Sequence, residues 1–211
     1  MTSRLGRFSF NQATANNWAR ETHIDELAEL TKTDPVTFRL NNLDDERLKA
    51  VLRATADRFK WDAPVADGHG VGIACGTEKG SYIATAVEVA VDRSTGAVRL
   101  VRIVAAFECG AIVNPDGLKN QVVGSLIQGI GGALFEAIDF ENGVIQNARL
   151  AQYRVPRFSD VPPIDVVLLD RKDLPSAGAG ETAIIALAPA IGSAIWRATG
   201  NRPRSLPMNR A

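Results

Sequence analysis

Histidine and cysteine are scarce in this 211-residue chain, which has only His23, His69, Cys75 and Cys109. The two cysteines form no CxxC pair, and four such scattered residues supply no zinc ligand set, so no protein-held metal is expected. Both cysteines read as small buried hydrophobes. That fits a reducing compartment; the cytoplasm is the expected location, a periplasmic complex the alternative. Neither sign of charge is in excess, since Lys+Arg and Asp+Glu both number 24. A balanced chain carries no electrostatic footprint for nucleic acid or an anionic membrane. No membrane span is expected either, because no apolar run reads as long as the roughly 18 residues one needs. The opening MTSRLGRFSF lacks the apolar core of a secretory signal. A Ser/His/Asp set, a P-loop and a GxGxxG after a strand are missing too.

What is present can build a core: 45% of the residues are hydrophobic, and the length suits one large domain or two small ones. Residues 1–64 read as a helical segment. Between Asn16 and Leu30, Trp18, His23, Ile24, Leu27 and Leu30 recur at helical spacing. Asp34-Pro35 starts a short helix, with Asp at the cap and Pro in the first turn. Asp44 opens another, with Leu48, Val51, Leu52, Thr55 and Phe59 on one stripe. Pro64, Gly68, Gly70 and Gly72 end this part. Residues 65–211 read as a mixed portion. Ile83 to Val91 and Val98 to Phe107, joined by Asp92-Arg93-Ser94-Thr95-Gly96, predict a long antiparallel β-hairpin. Asn114-Pro115-Asp116 predicts a helix running to about Ala137. Glu141-Asn142-Gly143 predicts a tight turn, Ile164 to Leu169 a strand, and residues 173–180 a loop. Glu181 then opens a last helix, stopped near Gly200. Helices first, then sheet and helices mixed, give an α+β fold.

Three places could carry chemistry. The helix after Pro115 contains Gly124, Gly129, Gly131 and Gly132, which together cost a helix about 4 kcal/mol against alanine. At 100° per residue, Gln121, Gly124, Gln128 and Gly131 fall on one stripe, and the other faces are apolar. The stripe is expected to face inward, against another backbone or a polar ligand. The second place is Gly178-Ala179-Gly180-Glu181. There a carboxylate opens a helix, either as an ordinary first-turn acid or as a rigidly held general base. The third is Gly80-Ser81-Tyr82, a strand-entry turn or a set of donors for an anion. Glu78, Glu88, Glu108 and Glu136 read as surface or paired acids.

These three places occur in an order that resembles the molybdopterin-binding large subunits of the xanthine dehydrogenase and aldehyde oxidase family. The resemblance runs through Gly80-Ser81-Tyr82-Ile83-Ala84, Cys109-Gly110, Val113-Asn114-Pro115, Gln121-Val122-Val123-Gly124, Gln128-Gly129, Gly180-Glu181 and Ala188-Pro189-Ala190-Ile191. It covers about residues 11 to 208 and is closest to the isoquinoline and nicotinate dehydrogenase-like subunits. It implies a molybdenum-dependent oxidoreductase that hydroxylates an aldehyde or an N-heteroaromatic carbon with water-derived oxygen. Glu181 stands where the catalytic base is expected. Gln121 stands near the metal and its pterin, Gly124 where the pterin approaches, and Gly80, Ser81 and Tyr82 where the cofactor is lined. The cofactor would be molybdopterin, in its cytosine dinucleotide form, with the metal held by the cofactor's own sulfurs.

Two local departures stand out. Thr182 replaces the proline common after the catalytic glutamate, and Gly6-Arg7-Phe8-Ser9-Phe10 replaces an Arg-Pro-Gly turn. The larger departure is length, because the family's subunits are several times longer. The resemblance therefore implies a C-terminal portion, inactive alone. It would be completed by a chain carrying the amino-terminal molybdopterin-binding part and by an iron–sulfur subunit. An oligomeric or partner-bound state is expected, and the start at Met1 favours a separate reading frame. The alternative is a non-catalytic assembly or remnant module that keeps the fold.

Overall fold

The computed structural model describes residues 12–209. The Arg-Pro-Gly departure at residues 6–10 lies outside them. In chain order the elements are α1 (Gln12–Leu30), α2 (Pro35–Asn42), α3 (Glu46–Phe59), β1 (His69–Glu78), β2 (Ser81–Val91), β3 (Val98–Glu108), α4 (Pro115–Leu134), β4 (Phe140–Glu141), β5 (Val144–Ile145), β6 (Ile164–Leu169) and α5 (Leu187–Thr199). The expected α+β class is what the chain adopts. A four-stranded mixed sheet runs in the order β1-β2-β3-β6, with β1, β2 and β3 antiparallel in turn and β6 parallel to β3.

The strands are apolar on both faces because both are covered. On one side Ile83, Val87, Ile103, Ala105 and Phe107 pack against α4 and α5, through Val122, Leu126, Ile130, Leu187, Ile191 and Ala194. On the other side Ile73, Ala84, Ala86, Val104 and Ala106 pack against Val51, Leu52 and Phe59 of α3. The helical segment thus shares its core with the sheet. The α3 stripe is buried as its spacing predicts, and its polar member is used. Thr55 Oγ1 donates to the Ala84 carbonyl at 3.1 Å and accepts from the Ala106 N–H at 3.0 Å.

The hairpin supplies two strands of a three-stranded meander, because residues 69–78, where no strand was predicted, form β1. Two glycines of β1 serve packing across the fold. A Cβ on Gly70 or Gly72 would collide with the α5 backbone, at Ala194–Ala198 and Ala190–Ala194 respectively. A strand whose backbone touches a helix backbone cannot carry side chains on that face. Gly72→Ala is expected to destabilise the fold by about 1–3 kcal/mol, the usual cost of overpacking. Thermal unfolding should show it as a fall of several degrees; an unchanged midpoint would refute the close packing.

The buried face of α1 is also not the predicted one. Leu27 and Leu30 are exposed, and the helix buries Asn17, Glu21, Asp25 and Ala28 instead. Glu21 accepts from Arg39 Nε at 2.9 Å and from the Cys75 N–H at 3.0 Å. Asp25 accepts from Arg197 and Arg202, each at 2.8 Å. All but Ala28 of this buried face is therefore polar, and the partners come from α2, β1, α5 and the segment after it.

The last helix is split. Thr182–Ile184 forms a short 3-10 turn, and α5 starts only at Leu187. Pro189 explains the break: it has no N–H to give the Ile185 carbonyl, and its ring crowds that position. The orphaned Ile185 carbonyl accepts instead from Asn17 Nδ2 at 2.9 Å. Thr182–Thr199 is also apolar enough over 18 residues to match a membrane span by length and composition, contrary to the sequence expectation. In the fold 78% of it is buried, as in a core helix.

Candidate active site

Four elements meet at one end of the sheet: the β1–β2 turn, the turn after β3, the N-terminal half of α4, and the loop of residues 173–181. Gln121 on α4 donates through Nε2 to the Gly180 carbonyl at 2.7 Å, so Gln121 and Glu181 lie on the same side of the molecule. From the sheet, Ser81 donates through Oγ to the Gly178 carbonyl at 2.7 Å. Thr182 is buried and donates its hydroxyl to the Glu78 carbonyl at 3.0 Å, a bond that a proline in its place could not make. Glu181 is thereby bracketed by three anchors, at positions 178, 180 and 182.

The Glu181 carboxylate itself is partly exposed, and its partner is Lys79 Nζ at 3.3 Å. Lys79 sits in the β1–β2 turn with a positive φ of 51°, beside Gly80 at 83°. An ion pair this exposed is worth at most about 1 kcal/mol, so an incoming ligand can displace it. Lys79 was not singled out from the sequence. A turn lysine is ordinary, and only the fold puts it opposite Glu181.

Two expectations about the site are corrected. Glu181 does not open an α-helix but precedes a three-residue 3-10 turn, so no helix macrodipole acts on it. The stripe on α4 does not face inward. Gln121, Gly124 and Gln128 are exposed and only Gly131 is buried, against Glu136 and Pro156. The apolar faces of α4 pack on the sheet and α5, which leaves the amide and glycine ridge outside. A Cβ at Gly124 would meet nothing within 4 Å, whereas one at Gly129 would press on Leu187 and Ile184. Close packing within the chain accounts for Gly129 and Gly131 but not for Gly124.

Of the strand-entry residues, Ser81 faces the loop, whereas the Tyr82 side chain falls on the other face of the sheet. There it packs under the Arg47 guanidinium at 4.2 Å. Tyr82 can line this site through its backbone alone. Gly80 sits against Ala177, with an added Cβ reaching the Ala177 methyl at 3.2 Å.

The donor set suits an anionic, oxygen-rich group such as a pterin with its phosphate. Among the described residues, none accepts a hydrogen bond from the backbone N–H groups of Gly178 to Ala183. Those of residues 178–181 lie in an open loop. With Gln121 Nε2 engaged, its Oε1 and the Gln128 amide have no hydrogen-bond partner among the described residues. A cavity of about 270 Å³ reaches Gln121 but neither Gly124 nor Gln128, and is lined also by Cys109, Asn114, Leu118, Ser176 and Gly178. A larger depression of about 430 Å³ lies between α2 and α3 and contains none of the predicted residues. Among the described residues no group of three or more His, Cys, Asp or Glu could hold a metal.

Comparison with known proteins gives the family. Residues 13–162 match the model of the molybdopterin cofactor-binding domain. In Pseudomonas putida, one of the nicotinate dehydrogenase subunits is 35% identical over 213 residues, covering 93% of this chain and 18% of its own length. The beta chain of isoquinoline 1-oxidoreductase from Brevundimonas diminuta is 35% identical over 198 residues, covering 92% of this chain and 25% of its own. The chain therefore spans about a fifth to a quarter of these relatives. The fold matches that of the aldehyde oxidoreductase from Desulfovibrio gigas with a TM-score of 0.77 at 17% identity, over 93% of this chain and 40% of that one. On sequence and family model together, the chain belongs to the molybdopterin cofactor-binding domain family and corresponds to the C-terminal part of the molybdopterin-binding subunits of the xanthine dehydrogenase type.

Proposed function

We propose that this chain forms one wall of a molybdenum hydroxylase active site and carries its general base, Glu181. The observation that supports this most is the Gln121–Gly180 bond, which ties the exposed ridge of α4 to the loop bearing the carboxylate. When bound, the molybdenum cofactor, in its cytosine dinucleotide form, supplies the oxidising centre for an aldehyde or N-heteroaromatic carbon. This chain's residues do the rest of the work on this side. Glu181 accepts the proton given up as the water-derived oxygen adds to the substrate carbon. The free N–H groups of Gly178–Glu181 and the Gln121 and Gln128 amides hold the cofactor's polar edge. Gly124 leaves room for that edge to lie against the helix, and Ser81 keeps the loop at its height.

The remaining wall comes from another polypeptide with the amino-terminal molybdopterin-binding part, and iron–sulfur clusters reside on a further subunit. The chain spans only part of each relative's length, so the rest of such a site has no counterpart among its residues. The chain alone is then inactive and cofactor-free. Elemental analysis should find no stoichiometric molybdenum in the purified chain and about one metal per complex after co-expression with that partner. Molybdenum bound by the chain alone would refute its incompleteness, and a metal-free complex would refute the function.

A further inference from the structure

We propose that Arg47 and Glu108 are positioning residues for the loop that carries Glu181, acting from behind the site as a single clamp; this rests on the functional reading above. Glu108 ends β3 and is buried, the paired rather than the surface acid of the two readings its sequence left open. Arg47 sits one residue into α3, on the opposite side of the sheet from α4. Its Nε meets Glu108 Oε2 at 2.5 Å and its Nη2 meets Oε1 at 2.9 Å, a two-pronged pairing that fixes both side chains. The same Nη2 donates to the Gly80 carbonyl at 3.1 Å. One guanidinium therefore holds the start of β2 and the end of β3 together.

Both ends lead to the loop. Beside Gly80, Ser81 holds the Gly178 carbonyl. Beyond Glu108, the carboxylate Oε1 also accepts from the Gly110 N–H, which fixes the turn that Gly110 makes at a φ of 79°. That turn is laced to the loop on either side of Gly110. Ala177 N–H donates to the Cys109 carbonyl at 2.7 Å, and Ala111 N–H to the Leu174 carbonyl at 3.1 Å. Gly110 also lies so close to Pro175 that a Cβ would run into its carbonyl. Beside the local bond from the Leu174 N–H to the Arg171 carbonyl, the anchors of residues 174–178 at Ser81, Cys109 and Ala111 each sit one residue from a group that Arg47 touches directly or through Glu108. Past residue 178 the loop is held further by Gln121 at Gly180 and by Thr182 at the Glu78 carbonyl, so the clamp sets the segment that leads up to Glu181. Arg47 lies behind the sheet from the carboxylate it positions, and neither Arg47 nor Glu108 touches Glu181.

Amide hydrogen exchange of the purified full chain tests the clamp without any cofactor. In Arg47→Ala the Gly110, Ala111 and Ala177 amides should lose protection at least tenfold, while β2–β3 core amides such as Ala105 keep theirs. Arg47→Lys, which keeps the charge but cannot pair with both Glu108 oxygens and Gly80 at once, should lose less. Glu108→Gln is the milder companion should Arg47→Ala fail to fold, with the same local pattern expected. Unchanged loop amides, or an equal loss across the whole sheet, would overturn the proposal. In the assembled enzyme Arg47→Lys should lower kcat severalfold with KM little changed; the reverse split would also count against positioning. The exchange result does not depend on Glu181 being the base. A local loss of protection in a protein whose Glu181 proves dispensable would keep the clamp and discard the base.

Discussion

Replacing Glu181 with Gln should cut turnover of the assembled enzyme by a factor on the order of 10²–10⁴ while its molybdenum content stays the same. At about 1.36 kcal/mol per tenfold, that is a barrier increase of roughly 3–5 kcal/mol. The substitution keeps the size of the side chain and removes only its capacity to take a proton. It should disturb little else. The carboxylate's partner is the exposed Lys79, a pair worth at most about 1 kcal/mol. The loop is held by its neighbours Gly178, Gly180 and Thr182, not by Glu181 itself. Wild-type turnover in a metal-replete Gln variant would remove Glu181 from the mechanism.

The largest expected effect on stability comes from Arg39→Ala, a loss of about 3–5 kcal/mol in urea unfolding. Arg39 is among the most buried side chains in the fold, and it faces Glu21 at 2.9 Å and Asp25 at 4.0 Å. Removing the cation leaves two buried acids with fewer counter-charges. Removing Glu21 and Arg39 together, in favour of methionines, should cost less than Arg39→Ala, because no uncompensated charge remains. The acids also predict a pH dependence. Burial pushes the Asp25 carboxyl up, but Arg197, Arg202 and Arg39 more than offset it and hold its pKa below the ordinary 3.8. A carboxyl whose pKa is depressed in the folded state stabilises the fold above its unfolded pKa. That contribution fades as pH falls from about 3.8 through the lower folded value. With Arg39 gone the folded pKa rises toward the unfolded value, so the loss should be smaller and end at a higher pH. An identical acid limb in the variant would show that Arg39 does not act on Asp25.

These particulars show which features a linear reading reaches. The cap of α2 at Asp34, the stripe of α3, the start of α4 at Asn114 and the strand at Ile164–Leu169 are local patterns, and each forms where its residues predict. β1 was hidden because Gly70 and Gly72 are explained by the α5 backbone, which is remote in the chain. The buried face of α1 was hidden because Asn17, Glu21 and Asp25 look like solvent residues until Arg39, Arg197 and Arg202 arrive from elsewhere in the chain. The split before α5 was readable in principle, since Pro189 forbids a continuous helix from Glu181. At the site, the order of the motifs was enough to bring Ser81, Gln121 and Glu181 together. The alternation of a strand, applied to Ser81 and Tyr82, would have put the tyrosine ring on the far face.

Gly124 carries a further consequence. It lies mid-helix and exposed, with nothing within reach of an added methyl. In the free chain, alanine there would be favoured by roughly 1 kcal/mol on helix propensity alone. On the cofactor placement proposed above, the same methyl would, in a complete enzyme, fill the space in which the cofactor lies against the ridge. Variants selected for thermal robustness of the lone polypeptide would therefore drift toward alanine at this position, and in doing so would lose their competence to be loaded.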